Sequence, residues 1–197
     1  MLSLTVAFWI MVLLFGVAGM MRGWTKEVLV TSACILALFT INQFMSTLFG
    51  FLKWDNNIVL APELRRWQFN IMTAFLLMLA FFGYQGPTLA RSRVGDRLNR
   101  RDNLQERILG FLVGGLNGWF VIGSLWSFLE FRLVSASNWV RFTPDIPYPF
   151  NPAHITRPAP ELASIIDNLP IPFLTQSPYI LPLLLVVVFL FILIVLM

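Results

Sequence analysis

Hydrophobic positions in this chain gather into long uncharged runs separated by short charged turns. Five runs approach or exceed the roughly 20 residues that cross a bilayer as helix. They cover residues 4–21, 28–52, 69–90, 108–129 and 179–197. Lipid offers the backbone no hydrogen-bond partner, so each run is expected to be helical, and none shows the in/out alternation of a barrel strand. The second run carries Asn42, Gln43, Ser46 and Thr47, and the third ends in Tyr84-Gln85-Gly86-Pro87. Both are expected to break or leave the hydrocarbon at those points.

Between the fourth and fifth runs lies a different pattern. Residues 130–178 hold nine of the twelve prolines, which excludes long helices and central strands and predicts an extended, turn-rich loop. Trp139, Phe142, Tyr148 and Phe150 make this loop too aromatic for simple disorder. One short helix is predicted over residues 160–169, with Leu162, Ile165, Ile166 and Leu169 on one face. The chain thus divides into a four-helix core (1–130), a proline- and aromatic-rich extracytoplasmic loop (131–178) and a C-terminal helix (179–197). The expected fold class is all-α, a polytopic integral membrane bundle of about five helices.

Composition agrees. Hydrophobic residues make up 57% and charged residues 12%, about half the charged share of a soluble domain. A mean hydropathy of +0.74 is more than one globular core of this size can hide. The first run has no basic residues before it and no small-x-small site after it, so it is read as a retained span.

Lys and Arg number 14 against 10 acids, and twelve of the bases are Arg. Lying between apolar runs, they are topology determinants and contacts for anionic lipids. The turn after the first run and the connector 91–107 carry eight bases and belong on one side, against six on the other. The positive-inside rule makes the first side cytoplasmic, placing the N-terminus outside and the C-terminus inside. The connector, with Arg91, Arg93, Arg97, Arg100, Arg101 and Arg107 among three acids, is expected to form an amphipathic surface helix. Its two readings are an anionic-headgroup site and a solvated, self-paired linker. No aromatic platform is interleaved with these bases, so nucleic acid is not an expected partner.

Gly110, Gly114 and Gly118 recur every four residues in the fourth run, and Gly19 and Gly23 close the first. Such spacing makes a smooth helix face that lets another helix approach closely. It serves either packing within the subunit or a homo- or hetero-oligomer interface.

Little in the chain suggests catalysis. Cys34 and His154 are single, which leaves no disulfide and no cysteine or histidine cluster for a metal, and no cofactor is expected. Phosphate loops and nucleophile elbows are missing. As drawn, no run contains an ionisable side chain, which speaks against proton- or ion-coupled transport. The polar groups within the runs, among them Asn70, Thr73, Asn117 and Ser124, suit interhelical hydrogen bonds. Trp24, Trp54, Trp67, Trp126 and Trp139 fall near span ends, as interfacial anchors do.

Three local features carry a family resemblance. Gly19-Met-Met-Arg22-Gly23-Trp24-Thr-Lys26-Glu27 has the form Gly-x-x-Arg-Gly-x-x-x-Glu, and a basic connector precedes the fourth run. That run opens Leu109-Gly110-Phe-Leu-Val-Gly114-Gly115-Leu-Asn-Gly118. In these, and in the order of four spans, residues 1–130 resemble the colicin V production protein (CvpA) family of bacterial inner-membrane proteins. The aspartate that members often carry at the start of the first span is missing, and the loop and fifth run have no counterpart in the four-span core. The resemblance implies toxin biosynthesis or export and envelope maintenance, and no catalytic residue. Opposite charges at adjacent ends further suggest that Glu27 pairs with a connector residue such as Arg93 or Arg97.

These readings lead to a non-catalytic accessory or scaffold subunit of a larger membrane complex, energy-transducing or secretory, with other membrane proteins as partners. Its working surfaces would be the glycine groove, the apolar fifth helix and the outer loop. The alternative is a small oligomeric transporter or channel, lined by Thr40, Asn42, Gln43, Asn70, Thr73 and Asn117.

Overall fold

The computed structural model describes residues 4–54, 61–89, 103–151, 155, 157–158 and 165–196. The elements are α1 (Leu4–Arg22), α2 (Trp24–Phe51), α3 (Pro62–Leu89), α4 (Asn103–Glu130), β1 (Phe131–Ser135), β2 (Asn138–Arg141), α5 (Pro170–Leu174) and α6 (Ile180–Leu196). The first four have the length and apolar character to cross a membrane. The fifth predicted span is the 17-residue α6, about 25 Å of helix and shorter than the others. The second and third runs do not break where their polar residues fall. Helix continues through Asn42–Thr47 to Phe51, and through Tyr84 to Leu89.

α2 is the central helix. Val30, Cys34, Ala37, Leu38 and Ile41 are fully buried, with Met45 and Phe49 continuing the stripe. Steps of three and four residues place them on one face, which turns toward α3, α4 and α6. α1 packs chiefly on α4. The chain alternates direction through α1–α4, so Arg22, Tyr84 and Glu106 share one end of the bundle. The Arg22 turn and the flanks of the basic connector therefore lie together, as the alternation of spans predicts. Of the connector, residues 91–102 fall outside the described residues, and 103–107 form the first turn of α4.

At the opposite end the prolines hide a β-hairpin. β1 and β2 pair antiparallel, with Phe131 opposite Arg141 and Leu133 opposite Trp139 and an irregularity before Ser135. Its turn residue Ser137 takes φ 62°, a left-handed conformation that costs a non-glycine residue about 1 kcal/mol or more. The hairpin tip compensates by docking on α2. Trp139 Nε1 donates to Asn42 Oδ1 at 2.8 Å, Asn42 Nδ2 donates to Ser137 Oγ at 2.9 Å, and the Ser137 amide donates to the Asn42 carbonyl at 3.0 Å.

The rest of the loop is held by α3. Proline-rich chain has carbonyls without ladder partners, and two adjacent arginines take them. Arg65 Nη1 donates to the Pro147 carbonyl at 2.8 Å, and Arg66 Nε to that of Pro149 at 3.0 Å. Of the helix predicted over 160–169, the described part is a 3₁₀ turn at 165–168, and the α-helical turn comes later as α5. Ile166 and Leu169 nevertheless bury against Phe8, Trp126 and Phe131. Gly123 of α4 makes room for Pro170, whose ring lies 2.5 Å from where a Cβ would stand. Leu133, Ile171, Leu174 and Leu181 join the α2 core, so the segments after residue 130 pack into the same hydrophobic cluster.

Candidate functional site

The glycines come together as a contact between α1 and α4. A Cβ on Gly19 would overlap the Gly110 carbonyl and stand 2.7 Å from the Gly114 Cα. A Cβ on Gly110 would lie 2.5 Å from the Gly19 carbonyl oxygen, and one on Gly118 2.8 Å from Phe15 Cβ. Of the two readings of the groove, packing within the subunit is the one realised, because α1 fills it.

This close approach sets the position of the turn that follows. Gly23 is the one residue between α1 and α2, with φ 86°, a region that glycine enters without strain. A side chain there would also meet Glu106, whose Oε1 lies 2.7 Å from the Cβ position. The tight turn brings Arg22 back over the first turn of α2, where Glu27 sits.

Glu27 is the centre of the site and is fully buried. Arg22 Nη1 reaches its Oε1 at 3.1 Å, and Asn117 Nδ2, from α4, donates to its Oε2 at 2.8 Å. The same amide nitrogen lies 2.9 Å from the Glu27 carbonyl, and Thr31 Oγ1 donates to Asn117 Oδ1 at 2.6 Å. α3 closes the cluster. Arg22 Nη2 donates to the Tyr84 carbonyl at 3.0 Å, and its guanidinium stands 4.2 Å from the centre of the Tyr84 ring. All four long helices thus contribute, and both carboxylate oxygens are paired. The positive end of the α2 dipole adds to the stabilisation of the anion.

The expectation that no ionisable group lies within the spans is therefore corrected. α2 begins at Trp24 and takes Glu27 with it, α3 begins at Pro62 and includes Arg65 and Arg66, and Glu130 closes α4. A run drawn up to the first charge stops short of a helix whose charges are paired inside the protein. Arg22 pairs with Glu27, and the expected partners Arg93 and Arg97 are not among the described residues. Arg91, Arg100 and Arg101 also lie outside the described part. Lys26 is exposed.

A second carboxylate closes the other end. Glu130 is buried and accepts a hydrogen bond from the Tyr148 hydroxyl, while Arg157 Nη2 lies 3.6 Å and Arg141 Nε 3.9 Å from its Oε2. Burial, then the Glu130 hydrogen bond, pushes the Tyr148 hydroxyl well above its ordinary pKa, so it stays a donor. Trp126 Nε1 donates to the same hydroxyl at 3.3 Å and is itself buried. Trp126, buried, and Trp139, half-buried, thus spend their indole N–H groups on partners inside the fold, whereas Trp67 is exposed.

Among the described residues no group of three His, Cys, Asp or Glu is placed to hold a metal. The sequence marked Arg22, Glu27 and the glycines, and it singled out Asn117 only as a polar group in a span and a lining residue of the alternative channel. Thr31 gave no signal, because its role depends on an amide 86 residues away.

The family description Colicin V production protein matches residues 4–144 of the chain. The matched segment contains α1–α4, the hairpin and the whole Arg22–Glu27–Asn117 cluster. No curated protein and no solved structure matches.

Proposed function

The chain belongs to the colicin V production protein family, and on that premise we propose that it is a non-catalytic multi-pass protein of the bacterial inner membrane, an accessory or scaffold subunit of a larger complex. The complex would be one that transduces energy or serves secretion and the envelope. One observation carries this reading: key polar groups of the long helices are closed on one another. Glu27 is held by Arg22 and Asn117, and Asn42 by Ser137 and Trp139. What α1, α3 and α6 turn outward is largely apolar, including Leu13, Phe81, Phe82, Leu183 and Phe189. Such surfaces fit lipid and the flanks of other membrane proteins.

The same pairing weighs against a pore. Asn42 and Asn117, two of the amides that would line one, already use their side chains inside the fold.

Mild detergent extraction at native expression, followed by native electrophoresis and mass spectrometry, tests the role. The expected outcome is a stoichiometric complex with other membrane proteins. Migration of this chain alone, or only with copies of itself, overturns the accessory role.

The proposed orientation puts the Arg22 end in the cytoplasm and the N-terminus outside. Lys26 and Lys53 are exposed at opposite ends of α2, and Cys34 is buried. In spheroplasts, a membrane-impermeant maleimide should label Lys53→Cys, leaving Lys26→Cys unlabelled until lysis and the native chain, with its buried Cys34, unlabelled throughout. The reverse pattern inverts the topology.

A further inference from the structure

Three parts of the outer loop converge on the carboxylate of Glu130, the last residue of α4. Arg141 comes from β2, Tyr148 from the proline-rich stretch that follows, and Arg157 from beyond it. Glu130 is 1% exposed and the Arg157 side chain 18%, so water replaces little of what either would lose. Proline-rich chain cannot hold itself by a backbone ladder. Its polar side-chain ties to the bundle are Arg65 and Arg66, on the Pro147 and Pro149 carbonyls, and the Glu130 cluster. Arg157 belongs to the same unit. Its Nη1 donates to the Thr143 carbonyl at 2.6 Å, and its guanidinium stands 5.4 Å from the centre of the Tyr148 ring.

The surrounding charges turn against this arrangement once Glu130 is neutral. Arg65, which grips the Pro147 carbonyl, is close enough to Arg157 for the two cations to repel. Both are largely buried, and the Nε of each has no acceptor among the described residues. An ionised Glu130 attracts Arg157 and offsets the repulsion. A protonated one leaves a buried guanidinium uncompensated, which favours moving it into water. The other charged groups here are Arg141, whose second partner Asp167 is exposed, and Asp145, which lines a cavity of about 210 Å³ with Tyr148 and Arg157. Acid changes the charge of carboxylates and leaves that of arginine and tyrosine alone.

We propose that Glu130 is an acid-released clasp, holding residues 142–151 and Arg157 on the bundle while ionised and freeing them when protonated. The closed form is favoured at neutral pH and loses that support as the pH falls. Opening takes Tyr148 from the Trp126 indole and presents Tyr148 and Phe150 at this end of the bundle. The hairpin tip stays docked, because Asn42 holds it separately. Which compartment's acidity is sensed follows from the orientation proposed above; the clasp itself does not depend on it.

Limited proteolysis of the purified chain in nanodiscs tests the clasp. Proteinase K rates are corrected against an unfolded substrate at each pH, and the cuts are mapped by mass spectrometry. From about pH 7.5 to about pH 4, cleavage within residues 142–151 should accelerate about tenfold or more, while α1 and α2 stay protected. Glu130→Gln, which keeps the shape without the charge, should be cut at the fast rate at both pH values. Asp167→Asn should respond as the unaltered chain does. Unchanged elution in detergent shows that the Gln variant is folded. Slow cleavage of the unaltered chain in acid, or of Glu130→Gln at neutral pH, overturns the proposal. So does acid cleavage that reaches α1 and α2, which is general unfolding, or loss of the response in Asp167→Asn. The readout needs this chain alone, so it stands or falls independently of whether a foreign subunit co-purifies.

Discussion

Gly114→Ala is expected to destabilise the protein strongly, while Gly115→Ala, one residue along, leaves it intact. The new methyl at position 114 would stand 2.5 Å from the Phe15 carbonyl oxygen and 2.8 Å from the Gly19 Cα. Both are backbone atoms of α1, so no side chain can rotate away and the two helices must separate. Separation opens the Gly19–Gly110 contact in turn and moves the Gly23 turn that positions Arg22. Overpacking of this kind costs about 2–3 kcal/mol. In a chain of this size that lowers the melting temperature by roughly 5–10 °C. A Cβ on Gly115 meets nothing within 4 Å, and its effect should stay within about 0.5 kcal/mol. Thermal unfolding of the two purified variants in one detergent makes the comparison. Equal behaviour would mean that α1 and α4 do not meet through this groove.

Removal of the buried carboxylate should be as damaging by a different route. Glu27→Ala takes the carboxylate from the Arg22 guanidinium and from Asn117 Nδ2, which keeps only the main-chain carbonyl of residue 27. Breaking a buried pair from one side typically costs about 3–5 kcal/mol. The Arg22 side chain is 27% exposed and keeps the Tyr84 carbonyl, so the expected loss lies at the lower end, about 3 kcal/mol. Glu27→Gln keeps the shape and one acceptor and should lose less. The double variant Glu27→Leu with Asn117→Leu should be more stable than the sum of the single losses predicts, since it removes donor and acceptor together. Strict additivity in that cycle would show that the two side chains do not interact.

Particular residues decide how much of this was legible beforehand. The four long helices follow from uncharged runs of bilayer length, and the shared end of Arg22 and the connector from strict alternation of spans. Helix ends were misplaced because hydropathy treats Glu27, Arg65 and Arg66 as solvated, whereas each finds a partner inside the protein. The hairpin does leave a trace. Phe131 and Leu133 are buried, and Arg132 and Val134 alternate with them, but the prolines further on dominate the reading of that region. Long-range partners left no trace at all. Nothing near Glu27 in the chain points to Asn117, and nothing near Asn42 points to the tip of a hairpin.

Those separations also have a meaning in time. Glu27 and Asn117 are 90 residues apart, and Asn42 and Ser137 are 95. At a synthesis rate of roughly 5–20 residues per second, each first partner waits roughly 5–20 s for its second. During that interval α1 and α2 carry a carboxylate satisfied by Arg22 alone and an amide with no partner, neither of which lipid can solvate. The first two helices cannot reach their final burial by themselves. The emergence of α4 and then of the hairpin completes them, and a ribosome paused before residue 117 would hold the nascent pair beside water or insertion machinery until it resumes.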